Sequence, residues 1–191
     1  LARYLHHWDG LSDDETVLDL LSYVLIESFQ DFQDTYLNGA ESALVANNPD
    51  AHPRLLNFYT QLAIRHSTLT SLPSPVAPTS NKFIADLAER ASALILSILS
   101  RPSTHSATPS AILTFYELLA SLAHESGPEG RNNAQIILPP PHVVYVLLTS
   151  SSLADLSRTC ALLATLKQAF EATLSSTRYP RDLTNTFNGY L

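Results

Sequence analysis

Apolar positions recur every three or four residues along most of the chain, interrupted by proline, glycine and asparagine, so helices are expected throughout. Val17, Leu18, Leu21 and Val24/Leu25 mark the first clear stripe. Ser12-Asp13-Asp14-Glu15 ahead of it reads as a capping box, with acids at the positive helix end. Ser28 is expected to cap a segment bearing Phe29, Phe32 and Tyr36, with Asn38-Gly39 as its stop. A short piece over 40–46 follows. Pro53 suits the first turn of a helix, where its missing N–H costs nothing, and Leu55, Leu56, Phe58, Tyr59, Leu62 and Ile64 follow until about Thr70.

A long apolar helix is predicted over 81–100, carrying Phe83, Ile84, Leu87, Leu94, Ile95, Ile98 and Leu99. Pro109 opens another that reaches about residue 126. The stretch Ile136 to Leu148 is β-branched enough for a buried strand. No second strand exists to pair with it, so the residues after Pro141 read as a short buried helix. Ser151/Ser152 with Asp155 then cap a last long helix. Its seam is Leu153, Leu156, Cys160, Leu163, Lys167, Phe170 and Leu174, with Leu162 and Leu166 beside it. Breaker-rich linkers separate these pieces near 71–80, 101–109 and 127–135, and Asp182 starts a final segment.

One internal repeat is visible. Leu55-Leu-Asn-Phe-Tyr-Thr-Gln-Leu-Ala63 matches Ile112-Leu-Thr-Phe-Tyr-Glu-Leu-Leu-Ala120, and both follow a proline. Antiparallel helix pairs of the HEAT type recur every ~40–47 residues, and the proline-rich linkers account for a longer spacing here. The expected fold is therefore all-α, with antiparallel helix pairs in a HEAT-like α-solenoid. Residues 1–191 read as a single helical-repeat region, cut from a longer protein because both ends break off within a pattern.

Composition adds a partner to this picture. Only 15% of residues are charged and 45% are hydrophobic, so the chain has ample apolar surface to order itself. So little charge suggests that neighbours cover some of the outside. The net charge of −7 is uneven: residues 1–50 hold ten carboxylates against one basic residue, Arg3. That acidic third, with Asp13, Asp14, Asp19, Asp31 and Asp34 as the candidate partner-binding residues, suits steering of a basic protein. No basic stripe exists to neutralise phosphates, so direct sequence-specific nucleic-acid binding is not expected. No apolar run is long enough to span a membrane.

Chemistry-bearing motifs are absent. His6 and His7 point about 100° apart on a helix and cannot share one ion. His124-Glu125 lacks a second histidine four residues on. His52, His66, His105 and His142 are isolated and read as surface or helix-end residues. There is no Gly-x-Ser-x-Gly elbow and no glycine-rich phosphate loop. Cys160, the lone cysteine, reads as a small hydrophobe on the apolar seam. Lys167 is within reach of Glu171 for a link worth only ~0.3–0.5 kcal/mol. No catalytic, cofactor, metal or small-molecule site is expected.

The residues Ile137-Leu-Pro-Pro-Pro-His-Val-Val-Tyr-Val-Leu-Leu, Ser151 to Glu171 and Thr186-Phe-Asn-Gly189 resemble the centromere protein I family. His7-Trp-Asp-Gly10 and Leu56-Asn-Phe-Tyr-Thr60 are similar to other stretches of it. The likeness, of a fungal type, spans most of the chain and is strongest over 136–191. It implies a non-enzymatic helical-repeat subunit of the inner kinetochore, in the nucleus at the centromere. Such a subunit acts with centromere proteins H, K and M in chromosome segregation, and its HEAT-like part clasps the paired C-terminal regions of H and K. The linkers at 71–80 and 101–109 depart from the family, and the chain stops where the family continues. Two other readings stand beside this one. An unrelated all-α binding domain would have a cavity lined by the helix over 81–100. An all-helical enzyme would gather three or more titratable groups in a deep pocket.

Overall fold

A computed structural model describes residues 1–24, 28–47, 51–71, 80–101, 106–125 and 136–174 of the chain. The described residues are all-helical, with no strand. In order they form α1 (Ala2–Leu5), α2 (Asp14–Ser22), α3 (Phe29–Phe32), a π turn (Gln33–Leu37), α4 (Asn38–Asn47), α5 (His52–Ser71), α6 (Ser80–Leu99), α7 (Thr108–Glu125), α8 (Pro141–Leu148) and α9 (Leu153–Leu174). Two compact units result, Leu1–Phe115 and Tyr116–Leu191. Of the linkers expected near 71–80, 101–109 and 127–135, residues 72–79, 102–105 and the whole of the third lie outside the described residues, as do the expected final segment from Asp182 and Leu25, while α7 already begins at Thr108 within the second.

In the first unit α5 packs against both α2 and α6, and α3 with its π turn packs against α4 and α6. The buried stripe of α5 is Leu55, Leu56, Phe58, Tyr59, Leu62, Ala63 and His66. Ile64, the last of the apolar residues named for this helix, is exposed, because it lies on the opposite side of the helix from Leu62 and His66. Charge pins the pairings. Arg54 reaches Asp14, Arg65 reaches Asp19 and Ser22, and Arg90 reaches Glu41, each from α5 or α6 to an earlier helix. Arg65 also lies over the Tyr23 ring at 3.4 Å.

The start of α2 departs from the expected capping box. Ser12 does not cap; its hydroxyl donates to Asp9 at 3.0 Å, and the Asp9 carboxylate accepts the Leu11 and Ser12 N–H groups at 2.9 Å each. Those donors, the Ser12 N–H foremost, hold the Asp9 carboxyl below its usual range. Asp9 thus organises a side-chain-directed turn one step earlier than predicted, and Trp8 Nε1 closes it by donating to the Ser12 carbonyl at 2.7 Å.

Asn38-Gly39 does not end a helix. Helical backbone runs through it, from Phe29 to Asn47, by way of the π turn. The buried positions explain why. Phe29, Phe32, Leu37, Ala40 and Leu44 are all covered, at steps of three, five, three and four residues. The five-residue step needs one extra residue per turn, which a π turn supplies. Leu37 therefore takes the core place expected for Tyr36, which is half-buried and rests against the Phe32 ring at 5.8 Å. Burial of Leu37, Ala40 and Leu44 outweighs the ~1 kcal/mol that glycine costs inside a helix.

In the second unit α8 packs on α9. The residues after Pro140 are helical as expected, yet only Val143 and Leu147 are buried, while Tyr145 and Leu148 are exposed. Ser152 caps α9 by accepting the Asp155 N–H at 3.3 Å, in line with the predicted Ser/Asp start. The seam of α9 is rotated from the prediction. Thr159, Leu162, Leu166, Ala169 and Phe170 are buried, whereas Leu153, Cys160 and Lys167 are exposed. Two apolar diagonals run down this helix, and its neighbours cover the Leu162/Leu166 one. Arg158 joins Glu117 of α7 through two hydrogen bonds, of 2.9 and 2.7 Å. That contact holds the guanidinium pKa above its ordinary value. Lys167 and Glu171 stand 3.9 Å apart on the exposed face.

Candidate functional site

The sequence pattern at α6 places Lys82, Asp86, Glu89, Arg90 and Ala93 on one face, since steps of three and four residues bring Lys82, Asp86, Glu89 and Ala93 into line and Arg90 sits at the edge of that stripe. That polar face borders a cleft of about 640 Å³ in the first unit. Its other wall is Ser28, Gln30 and Gln33, from the residue before α3 through the π turn. Aromatic rings form the floor. Phe83 meets Phe29 edge-on at 5.4 Å and stacks on His66 at 3.9 Å with planes 9° apart. All three rings are buried.

Both polar walls are organised from behind. Arg90 donates to both Glu41 oxygens and, at 3.2 Å, to the Asn38 side-chain oxygen. The Glu41 hydrogen bond holds the Arg90 pKa above its ordinary value. Tyr59 donates its hydroxyl to the same carboxylate. Gln30 donates to Asp34 at 3.1 Å. Lys82, Asp86 and Glu89 form no hydrogen bond or ion pair among the described residues.

His66 was read from sequence as a surface or helix-end residue; it is buried within α5. Its spacing from Tyr59, Leu62 and Ala63 was the available signal, because it continues their stripe. Burial lowers its pKa from 6.5 to about 4, so the ring is neutral at pH 7. A histidine that resists protonation when folded stabilises the fold above its unfolded pKa, and the contribution disappears as pH falls towards 4. Between pH 7 and pH 5 the first unit should lose about 2 kcal/mol through this ring. Urea denaturation of the wild type and His66→Phe, followed by Trp8 fluorescence, checks this. The wild-type midpoint should fall more steeply with acid than that of H66F; parallel curves would contradict it.

The five acids expected to face a partner sit in different surroundings. Asp14 is buried and bound by Arg54, and Asp19 is held by Arg65. Their partners are arginines 40 and 46 residues later in the chain, and Asp14 is buried while Asp19 keeps an exposed side chain. Asp13 is exposed before α2 with φ of 55°, while Asp31 and Asp34 are exposed on α3 and the π turn. Asp34 is the acid connected to the cleft, through Gln30.

The cleft is lined by α6, as a ligand-binding domain would require, but by its polar face and Phe83 rather than its apolar stripe. Its titratable groups are spread out. Lys82, Asp86 and Glu89 succeed one another at ~6 and ~4.5 Å along the helix axis, and Arg90 is committed to Glu41. Among the described residues no group of three or more His, Cys, Asp or Glu side chains is arranged to hold a metal ion. No helix there is long and apolar enough to cross a membrane. No protein-family model matches the chain, and no curated protein matches it.

Proposed function

We propose that the chain is a non-enzymatic scaffold whose helices present surfaces to other proteins, within a HEAT-like α-solenoid of the inner kinetochore. The observation that carries the scaffold reading is the repeat. In Leu55–Ala63 and Ile112–Ala120 the same six positions are buried: the first two residues, the Phe-Tyr pair and the closing Leu-Ala, while Asn57 and Thr114 are exposed. Two helices built to one burial plan are what stacked repeat units need, since each unit must cover its neighbour.

The kinetochore assignment rests on the resemblance to the centromere protein I family, with centromere proteins H, K and M as partners in the nucleus. Gel filtration of the 191-residue chain with a purified H–K pair tests it. Co-elution at micromolar concentration is the expected result; separate peaks would remove the assignment.

The cleft favours a second reading, an all-α ligand-binding domain. Its volume falls within the range of roughly 300–1,000 Å³ typical of small-molecule sites. A thermal-shift screen with uncharged aromatic ligands separates the two, because stabilisation by such a ligand in the absence of any protein partner belongs to the second alone.

A further inference from the structure

Resting on the scaffold reading, we propose that the cleft between α3, its π turn and α6 is the docking point for an arginine side chain carried by a protein partner.

Three features converge. The floor is aromatic, built from Phe29, Phe83 and the neutral His66 ring. Above it stand Asp86 and Glu89, one turn apart on α6 and unmatched by any cation among the described residues. Arginine–carboxylate pairs between helices already occur in this chain: Asp14, Asp19, Glu41 and Glu117 are each met by an arginine.

Guanidinium is the cation that satisfies floor and wall together. It is flat, weakly hydrated and able to rest on rings while its fork of N–H groups binds carboxylates. An ammonium is compact and strongly hydrated, and gains less from a ring-lined floor. Asp34, tied to Gln30 at the opposite wall, adds to the negative field, and Arg90 is neutralised by Glu41. Lys82 opposes it. It sits one turn before Asp86 and repels an incoming cation, which gives the site an internal control of opposite sign. The volume admits a whole arginine side chain with the flanking backbone of an extended segment.

The probe is Nα-acetyl-arginine amide, titrated into the full chain and followed by the NMR shifts of Phe83 and Ala93. Nα-acetyl-lysine amide and the uncharged isostere Nα-acetyl-citrulline amide serve as comparisons. Saturable shifts are expected with the arginine probe, and binding several-fold weaker with either comparison. Asp86→Asn with Glu89→Gln should weaken the arginine probe roughly tenfold. Lys82→Ala should tighten it by about two- to threefold. All three positions line the cleft and form no ion pair among the described residues, so far-UV circular dichroism of the variants should match the wild type. No saturable response to arginine, equal affinity for citrulline, or indifference to D86N/E89Q would each overturn the site. The two proposals fail separately. A chain that co-elutes with the H–K pair yet ignores arginine loses only this site; one that binds arginine without co-eluting loses only the kinetochore assignment.

Discussion

Phe115→Ala is expected to destabilise the protein by ~3–5 kcal/mol, the cost of deleting a fully enclosed aromatic ring and leaving its cavity. Phe115 has no exposed surface, and Ile112, Leu113, Tyr116 and Leu119 near it on α7 are buried as well. Phe58→Ala, at the equivalent place in α5, should cost a similar amount, since Phe58 retains 4% of its surface. Both follow from one burial plan used twice. Chemical denaturation monitored by far-UV circular dichroism gives the two losses, and agreement to within about 1 kcal/mol is expected. A loss near zero at either phenylalanine would mean that the ring faces solvent or a partner, and the repeat would be a coincidence of sequence.

Gly10→Ala should be almost as damaging, for a different reason. Gly10 has φ of 73°, in the left-handed region that side chains avoid. A Cβ there would overlap the Ala43 carbonyl and approach the Leu44 nitrogen to 2.8 Å. These are backbone atoms of α4 and cannot rotate away. The substitution should cost ~2–4 kcal/mol from strain and displaced packing together. Gly39 supplies the contrast. It is exposed and helical, and a Cβ would meet nothing within 4 Å, so Gly39→Ala should stabilise by ~0.4–1 kcal/mol. Thermal unfolding of the pair separates the two effects by sign. A G10A protein as stable as the wild type would show that the turn after Trp8 does not lie against α4.

The two glycines show where the sequence was informative and where it was not. Spacing alone located α5, α6 and α9, because long stripes of leucine and isoleucine outweigh local detail. At Asn38-Gly39 the local cue for a stop was overruled by Leu37, Ala40 and Leu44, whose burial depends on helices elsewhere in the chain. Cys160 and Leu162 lie on adjacent diagonals of one helix, and only packing could decide between them. The cleft was less legible still. Its walls come from residues 28–33 and 82–93, with His66 between, and nothing near Asp86 announces that Phe29 lies opposite. The even turn-by-turn spacing of Lys82, Asp86 and Glu89 was the one local hint. Asp14 and Asp19 looked like free acids because their arginines arrive from a later helix.

The claim on which the functional account depends is that this helical chain docks other proteins by burying surface against them. Isothermal titration calorimetry of the chain with the centromere protein H–K pair, at several temperatures, tests it most directly. The account predicts saturable binding at micromolar or lower concentration with a negative heat-capacity change, the mark of apolar surface leaving water. Titrations that release only dilution heat at every temperature would contradict it.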